Sequence, residues 1–455
     1  MNFYLLSFEL SGIKNIRKKI ELQFYNKTLP NNLEIEGTNV KAIYGKNGSG
    51  KSGIINAVDV FQKITNRKGY LYDNKGKGYL QELINYQTNE LYINFKFVLY
   101  SKTENKPYFI GNYKIVIVRD VEEDDIRIDE EVLSEVKRTS QKERIIFKSK
   151  NGKILESKFE DEINQKFTNL LEKRSVLEII RNDLIHFMIK ETPNNMDSLA
   201  LAIPFIFFSV NIDVYLEDSD THDYFLNIKH DINNIISNVS TKNKKKDIKN
   251  LQSDENSFDY HMPKYLHSKI VNKKHQIEYI DMTKKLCEFL QLFKNNLKNI
   301  DVEFRPYDTV SDYADLYFKY EQGHTVYIDF ESTGIKKLIN LYETLVSVDE
   351  GGIAFIDEFD ANIHDVFLIK IVEYFSQYSK GQLVFTTHNL GPMEILSKKK
   401  HSLDFLSDDS QIITWTKSGN YSVVKLYRQG LLSKHHFNMM ASDFIGVFSK
   451  DEKNE

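Results

Sequence analysis

The chain has 455 residues, of which 41% are hydrophobic and 28% are charged, and its formal net charge is −4. This composition predicts a globular protein of about two or three domains and excludes both a disordered chain and a general polyanion binder. The only cysteine, Cys287, excludes a disulfide framework and a cysteine-based metal site, and it fits a reducing cytoplasm. The most membrane-like segment, Leu199 to Val210, is 12 residues long. A spanning helix needs about 20, so we expect a buried core segment and no membrane contact.

The first 154 residues have the pattern of strands around one helix. A strand is predicted at the N-terminus, and Leu91 to Phe97 alternates apolar and polar residues as a half-buried strand does. Further strands are predicted at Tyr113 to Val118 and at Arg144 to Lys148, separated by turn-forming residues. Residues 1–154 are therefore predicted to form one unit.

From residue 155 the apolar spacing becomes helical. Apolar residues recur at three- and four-residue intervals from Ile163 to Leu184 and from Ile277 to Leu297. Residues 155–300 are therefore predicted to be a mainly helical insertion. The basic run from Thr241 to Asn250 is expected to be a solvated loop, with nucleic-acid contact as the alternative.

Strands and helices alternate again in the last predicted unit, residues 301–455. Two apolar strands, in G-I-A-F-I-D-E and Q-L-V-F-T-T-H, are separated by a helix, which predicts a parallel sheet buried on both faces. Residues 408–427 are predicted to form a closing hairpin. The predicted fold class is α/β.

A phosphate site is predicted between Val40 and Val58, which read as a strand, a glycine-rich loop and a helix. The loop G-K-N-G-S-G-K-S fits the pattern G-x-x-x-x-G-K-[ST] in the context that this pattern requires. Backbone N–H groups of such a loop surround phosphates, Lys51 reaches the β- and γ-phosphate oxygens, and Ser52 offers its hydroxyl to Mg²⁺. The predicted nucleotide-binding residues are Gly45, Lys46, Asn47, Gly48, Ser49, Gly50, Lys51, Ser52 and Gly53.

Two later strands are predicted to complete this site at their carboxyl ends, where ligands bind in open α/β sheets. The first delivers Asp357, expected to hold Mg²⁺ through water, and Glu358, expected to act as general base on the attacking water. The alternative is an acidic surface turn. The second strand ends at His388, which is predicted to hydrogen-bond the γ-phosphate; an ordinary surface histidine is the alternative.

The segment E-S-T-G-I-K-K-L, which begins at Glu331, lies between a strand-like and a helix-like stretch. A helix N-cap followed by a glycine explains it, and so does an anion site at a helix N-terminus.

These four elements, in this order, resemble the ATP-binding-cassette ATPase superfamily. They are most similar to its branch of SMC-like, RecF-like and overcoming-lysogenization-defect type ATPases, in which the loop form with Asn47 is favoured. The resemblance covers roughly residues 1–150 and 300–430. It implies a head with a mixed sheet around the P-loop and an antiparallel β lobe, ATP and Mg²⁺ as ligands, and ATP hydrolysis. D-E-F-D would be the Walker B and D-loop region, and T-T-H the switch histidine.

The resemblance also implies a homodimer that encloses ATP between two heads. Ser332, Thr333 and Gly334 would then bind the γ-phosphate held by Lys51 of the other copy, and Asp360 would lie near the seam. Three features depart from the family pattern or stay unassigned. Thr333 and Ile335 replace the glycine and glutamine of the transporter signature; either Gln81 or Gln87 is the candidate glutamine-loop residue; and the role of His364 is open.

The spacing of the motifs selects among kinds of cassette ATPase. Ser332 follows Lys51 by 281 residues (332 − 51), which is too far for a transporter subunit, and the insertion has no sustained heptads for an SMC arm. Only 67 residues follow His388 (455 − 388), so we expect no attached metal-nuclease domain.

The combination resembles the ATPase subunits of bacterial abortive-infection and phage-defence pairs. It implies a sensor or scaffold that controls a separate toxin or nuclease. A RecF-like or SMC-like DNA-repair clamp and a nucleotide-locked scaffold with negligible hydrolysis are the alternatives. The sequence leaves open an oligomer above the dimer and a contact with DNA or RNA.

Overall fold

A computed structural model describes residues 2–25, 39–100, 107–137, 142–184, 196–216, 269–416, 422–430 and 432. The basic run Thr241 to Asn250 lies outside these residues. The described strands, in chain order, are β1 Asn2–Ser11, β2 Ile20–Gln23, β3 Val40–Gly45, β4 Glu90–Tyr100, β5 Pro107–Asp120, β6 Asp125–Val136, β7 Glu143–Lys150, β8 Lys153–Ser157, β9 Ile212–Tyr215, β10 Lys269–Asn272, β11 Leu297–Pro306, β12 Ser311–Tyr320, β13 Thr325–Tyr327, β14 Ile353–Ile356, β15 Gln382–Thr386, β16 Leu403–Leu406 and β17 Ile412–Thr414.

The described α-helices are α1 Lys51–Asn66, α2 Asn74–Leu83, α3 Asp161–Phe167, α4 Val176–Ile179, α5 Met196–Leu199, α6 Ile203–Val210, α7 Gln276–Gln291, α8 Thr333–Glu350, α9 Asp365–Tyr378, α10 Gly391–Leu396 and α11 Val423–Arg428. Shorter turns of 3₁₀ or π type occur at Tyr70–Tyr72, Ile180–Leu184, Lys273–His275 and Ile328–Phe330.

A six-stranded sheet with the order β17-β16-β3-β15-β14-β9 lies at the centre of the fold. The five strands from β16 to β9 are parallel, and β17 is antiparallel to β16. Neighbouring residues of β14 face opposite clusters of the core. Ile353 and Phe355 belong to one cluster, and Ala354 and Ile356 belong to the other. The prediction of a parallel sheet buried on both faces is confirmed, and with it the α/β fold class.

The predicted antiparallel β lobe is a seven-stranded sheet with the order β2-β1-β4-β5-β6-β7-β8. Helix α1 packs into the core cluster that this sheet shares with β14. The side-chain amide of Gln382, on β15, joins the two sheets directly. It accepts a hydrogen bond of 2.6 Å from the backbone N–H of Leu5 and donates one of 3.0 Å to the carbonyl of Leu5.

The range 155–300, predicted to be a mainly helical insertion, contains helices α3 to α7 and also supplies a strand of the central sheet. Strand β9, Ile212–Tyr215, is fully buried and pairs in parallel with β14. It follows the apolar helix α6 with only Asn211 between them, and its four residues are too few for periodicity to separate a short buried strand from a helix. The division at 154 and 300 stays a prediction.

A third, antiparallel sheet with the order β10-β12-β11 and with β13 beside β12 packs against helix α7. The hairpin predicted at residues 408–427 is wrong in its bounds. The structure pairs β16 with β17, and the next described element, Val423–Arg428, is a helix. The hydroxyl of Ser422 accepts a hydrogen bond from the N–H of Lys425 and so caps this helix. In the part of the chain that the structure describes, no helix is long and apolar enough to span a bilayer.

Candidate functional site

The glycine-rich loop joins β3 to α1. Gly50 caps the helix with φ 104°, a left-handed conformation that favours glycine. A Cβ at this position would also meet the side chain of Ile16 at 2.8 Å. The first turn of α1 carries no acidic side chain, so the positive end of the helix is available to an anion.

Lys51 begins α1 and turns back over the loop. Its Nζ donates hydrogen bonds of 2.9 Å to the carbonyl oxygens of Gly45 and Lys46, and the residue is 7% exposed. Burial lowers the pKa of the Lys51 ammonium, while the carboxylates of Asp357 and Glu358 act in the opposite direction. The loop after β3 and the acids after β14 lie at one edge of the sheet, because β3, β15 and β14 are neighbouring parallel strands.

The other predicted loop residues differ in exposure. Asn47 and Gly48 are exposed, Lys46 and Ser52 are half-buried, and Gly53 is buried against the β1–β2 connection. The carbonyl of Gly48 accepts a hydrogen bond of 2.6 Å from the side-chain amide of Asn15, and Lys46 lies 3.6 Å from a carboxylate oxygen of Asp408.

Asp357 and Glu358 follow β14 directly, as predicted. The backbone N–H of Asp357 donates a hydrogen bond of 2.9 Å to the carbonyl of Tyr215, so β9 continues its pairing to the edge of the site. Oδ1 of Asp357 accepts a hydrogen bond of 2.5 Å from the hydroxyl of Thr386. That hydroxyl in turn accepts one of 2.8 Å from the backbone N–H of Glu358.

His388 lies just beyond the end of β15, next to the same carboxylates. Its backbone N–H donates a hydrogen bond of 3.2 Å to Oδ2 of Asp360, and its side chain is exposed. Partial desolvation and then the charge of Lys51 lower the pKa of the His388 imidazole, so the neutral form is favoured near neutral pH. A neutral imidazole retains both a hydrogen-bond donor and an acceptor.

Ser332 caps helix α8, and its hydroxyl accepts a hydrogen bond of 3.4 Å from the backbone N–H of Ile335. Ser332 and Thr333 are exposed, and Gly334 is half-buried. The N-cap explanation of this segment is thus present in the structure. It does not exclude an anion site, because the cap leaves the helix N-terminus on the surface.

The residues left unassigned by the sequence have contacts of other kinds. The amide of Gln81 donates a hydrogen bond of 2.8 Å to Asp124, and the amide oxygen of Gln87 accepts one of 2.8 Å from Arg17. His364 caps helix α9 by accepting a hydrogen bond of 3.3 Å from the N–H of Val366. These contacts are structural, and the glutamine-loop residue stays unassigned.

Sequence reasoning missed two residues that hold the acidic strand end. Thr386 lies in the predicted T-T-H element and bonds both acids there. Lys337 lies in E-S-T-G-I-K-K-L, and its buried Nζ donates a hydrogen bond of 2.6 Å to the carbonyl of Glu358. The sequence shows Lys337 as the second of two lysines in a stretch with helical apolar spacing. Periodicity predicts the helix there but does not predict that this lysine is buried.

The donors and acceptors present fit a nucleotide with Mg²⁺. Among the described residues, Ser49 Oγ and Asp360 Oδ1 are buried polar atoms without a hydrogen-bond partner. The hydroxyl of Ser49 can donate a hydrogen bond to a phosphate oxygen, whereas the carboxylate oxygen of Asp360 can only accept one, for example from ordered water. The described residues contain no cluster of three or more metal-ligating side chains. Mg²⁺ needs none when substrate phosphates supply most of its ligands, and Ser52 and Asp357 would supply the rest.

Together, the parallel sheet, the glycine-rich loop before α1 and the acids at the neighbouring strand end define a P-loop nucleotide-binding protein of the α/β class. The sequence matches a family model described as "AAA domain, putative AbiEii toxin, Type IV TA system" over residues 41–394. The chain belongs to this family. The predicted resemblance to ATPases of abortive-infection systems is thereby confirmed. None of the curated proteins matches the sequence.

Solved structures of SMC and RecF proteins are similar to the chain at low sequence identity. An Smc head bound to the C-winged helix domain of ScpA is 15% identical, with 93% of this chain and 99% of that chain covered and a TM-score of 0.40. The SMC head domain from Thermotoga maritima is 14% identical, with 90% and 98% covered and a TM-score of 0.33. The recombination mediator protein RecF of the RecFOR pathway, in its structure with ATPrS, is 13% identical. The match covers 91% of this chain and 98% of that chain, with a TM-score of 0.36. TM-scores of this size carry no conclusion about function.

Proposed function

We propose that the chain binds ATP with Mg²⁺ and hydrolyses the bond between its β- and γ-phosphates, which yields ADP and phosphate. The observation that carries the proposal is the placement of the glycine-rich loop, which follows β3, and of Asp357 and Glu358, which follow β14, at one edge of the parallel sheet. Lys51 and the loop amides would hold the phosphates, and Ser52 with Asp357 would hold Mg²⁺. Glu358 would accept a proton from the attacking water, and His388 would hydrogen-bond the γ-phosphate as a neutral imidazole.

We further propose that two copies close around ATP, each supplying Ser332, Thr333 and Gly334 to the nucleotide of the other. This part is supported by the exposure of Ser332 and Thr333 at the start of an 18-residue helix. The first turn of that helix carries no acidic side chain to oppose an anion. The carboxylate of Glu331, just before the helix, accepts a hydrogen bond of 3.4 Å from the N–H of Ser332 and is paired with Lys294. The exposed Ser332 and Thr333 are therefore the part of this helix start that would contact a phosphate held by a second chain.

The biological role that we propose is control of a separate toxin or nuclease in bacterial defence against phage, from the cytoplasm. The family description supports it, since it names an AAA domain together with "putative AbiEii toxin, Type IV TA system". ATP binding would close the dimer, and a trigger or hydrolysis would release or activate the effector.

The ATPase proposal is tested with Glu358→Gln. The substitution keeps the size of the side chain and removes the base, so we expect kcat to fall by about 100-fold or more while ATP binding persists. Glu373→Gln is the control, because Glu373 is a half-buried residue of α9 that pairs with the exposed Lys370. Turnover of Glu358→Gln equal to that of the wild type would contradict the assignment of Glu358.

The effector proposal is tested by an ATP-dependent pull-down from the host cell with Glu358→Gln, which holds the closed state. Bound material is analysed for protein and for nucleic acid. One small protein in stoichiometric amount, lost on Lys51→Ala, supports effector control. Recovery of nucleic acid alone contradicts it and favours a DNA-repair clamp, whose binding would weaken steeply with salt.

A further inference from the structure

Lys337 is a buried lysine bound to the backbone of the acidic strand end. It lies on α8 five residues after Ser332 and is 4% exposed. Its Nζ donates a hydrogen bond of 2.6 Å to the carbonyl oxygen of Glu358 and lies 5.9 Å from the ring centroid of Tyr215. Lysines are rarely buried to this degree, since taking an ammonium out of water is costly. The contact with Glu358 therefore requires an explanation beyond packing.

Glu358 itself has an unusual backbone conformation. Its φ is 46°, in the left-handed region that a residue with a Cβ adopts at a cost in free energy. The peptide groups on both sides are held. The N–H donates to Thr386 Oγ1 at 2.8 Å, and the carbonyl accepts from Lys337 Nζ at 2.6 Å and from the backbone N–H of Ala361 at 3.0 Å. Such a conformation persists where the surroundings impose it. Among the described residues, Lys337 and Thr386 supply the side-chain hydrogen bonds that hold this conformation.

A second contact joins the start of α8 to the loop that follows β14, residues 357–362, which we call the acidic loop. A Cβ built on Gly334 would lie 2.6 Å from the carbonyl oxygen of Asn362, so the helix backbone meets the loop without space between them. Gly334 and Lys337 thus contact the loop at two points, four residues apart along its chain (362 − 358). The first two turns of α8 and the acidic loop form one packed unit.

We propose that Lys337 is a positioning residue for ATP hydrolysis, which holds the backbone of Glu358 so that its carboxylate points at the attacking water. The inference rests on the proposed function. Ser332 and Thr333 begin the same helix as Lys337. Binding of a phosphate at the helix start is therefore coupled, through Lys337, to the orientation of the Glu358 carboxylate. Lys337 need not touch the nucleotide for this role.

The test compares Lys337→Met with Lys336→Met in the full chain. Lys336 is the neighbouring lysine of the same helix, and its Nζ donates to the carbonyl of Asp329. For Lys337→Met we expect kcat to fall by about 10- to 100-fold, as for a misplaced catalytic group, with the dissociation constant of ATP unchanged within about a factor of two. Lys336→Met should retain wild-type kcat.

Two readouts separate positioning from a general loss of structure. In the Glu358→Gln background, Lys337→Met should cause no further loss of turnover, since both changes remove the same function. Without nucleotide, amide hydrogen exchange at Glu358 and Phe359 should be faster in Lys337→Met than in Lys336→Met. Lys337→Arg, which keeps a buried donor, should recover part of the lost kcat.

Equal kcat for Lys337→Met and the wild type would overturn the inference about Lys337 alone. So would a further loss of similar size in the Glu358→Gln background. If Lys337→Met does not fold, Lys337→Gln is measured by the same two comparisons. A wild-type chain that does not hydrolyse ATP would overturn the proposed function together with this inference.

Discussion

The hydroxyl of Thr386 donates a hydrogen bond of 2.5 Å to Oδ1 of Asp357. The same hydroxyl accepts a hydrogen bond of 2.8 Å from the backbone N–H of Glu358. One side chain at the end of β15 therefore holds both acids at the end of the neighbouring strand β14. Since β14 and β15 are parallel and adjacent, their carboxyl ends meet at one edge of the sheet, and this contact needs no long side chain.

Thr386→Val tests this relationship. Valine keeps the shape of threonine but leaves a carboxylate oxygen and a backbone N–H without their partner, so the free energy of unfolding should decrease by about 1–3 kcal/mol. We also expect kcat to fall about tenfold and the Mg²⁺ concentration needed for half-maximal turnover to rise, because Asp357 loses its orientation. Urea unfolding and a Mg²⁺ titration of ATP turnover measure these effects.

Thr414→Val is the matched control for Thr386→Val. The hydroxyl of Thr414 donates a hydrogen bond of 2.6 Å to Oδ1 of Asp404, between strands β17 and β16. This variant should lose stability in the same way and keep the turnover of its folded fraction. Equal loss of turnover in the two variants would contradict a specific role for Thr386.

The sequence was most informative where a function requires a fixed pattern. The loop from Gly45 to Ser52 and the acids after β14 could be predicted because strand, loop and helix signals coincide there. Parallel strands bring their carboxyl ends together, so the placement of Lys51 and Asp357 at one edge of the sheet followed from the pattern of alternating strands and helices.

The contacts that orient these residues could not be predicted. The side chain of Lys337 reaches a backbone carbonyl, and any residue type would present the same carbonyl at position 358. Strand β9 lies within the predicted helical insertion, because its four residues, Ile-Asp-Val-Tyr, are too few to show a periodicity of their own. Its pairing with β14 depends on residues far apart in the chain.

Lys51→Ala should weaken ATP binding by about 10-fold to 100-fold, because it removes charge-assisted hydrogen bonds to the phosphates. Calorimetric titration with ATP and Mg²⁺ measures this loss. Lys370→Ala is the control, since Lys370 has a 72% exposed side chain and lies on the far element α9. ATP affinity unchanged by Lys51→Ala would contradict the predicted phosphate site.

The stability of the chain should fall in mild acid through His388 and His401. Partial burial and a nearby lysine lower the pKa of both imidazoles below 6.5. Below pH 6.5 the unfolded chain therefore binds protons that the folded chain does not, so the free energy of unfolding decreases as the pH falls. Above that pH both states are neutral at these positions and the effect vanishes.

Urea unfolding of the wild type, His388→Asn and His401→Asn across this pH range measures the contribution of each histidine. Asparagine suits position 401, where φ is 63°. Each variant should lose stability less steeply with falling pH than the wild type. A double variant with the wild-type slope would contradict the assignment.

The most direct test of the central claim is the mass of the Glu358→Gln chain in solution, measured by sedimentation with and without ATP and Mg²⁺. We expect ATP to convert monomers of this variant into dimers. Ser332→Arg, added to the same chain, should bind ATP and stay monomeric, because Ser332 is exposed and its side chain would face the second copy. A mass that does not change with ATP, in a chain that binds ATP, would contradict an ATP site shared between two copies.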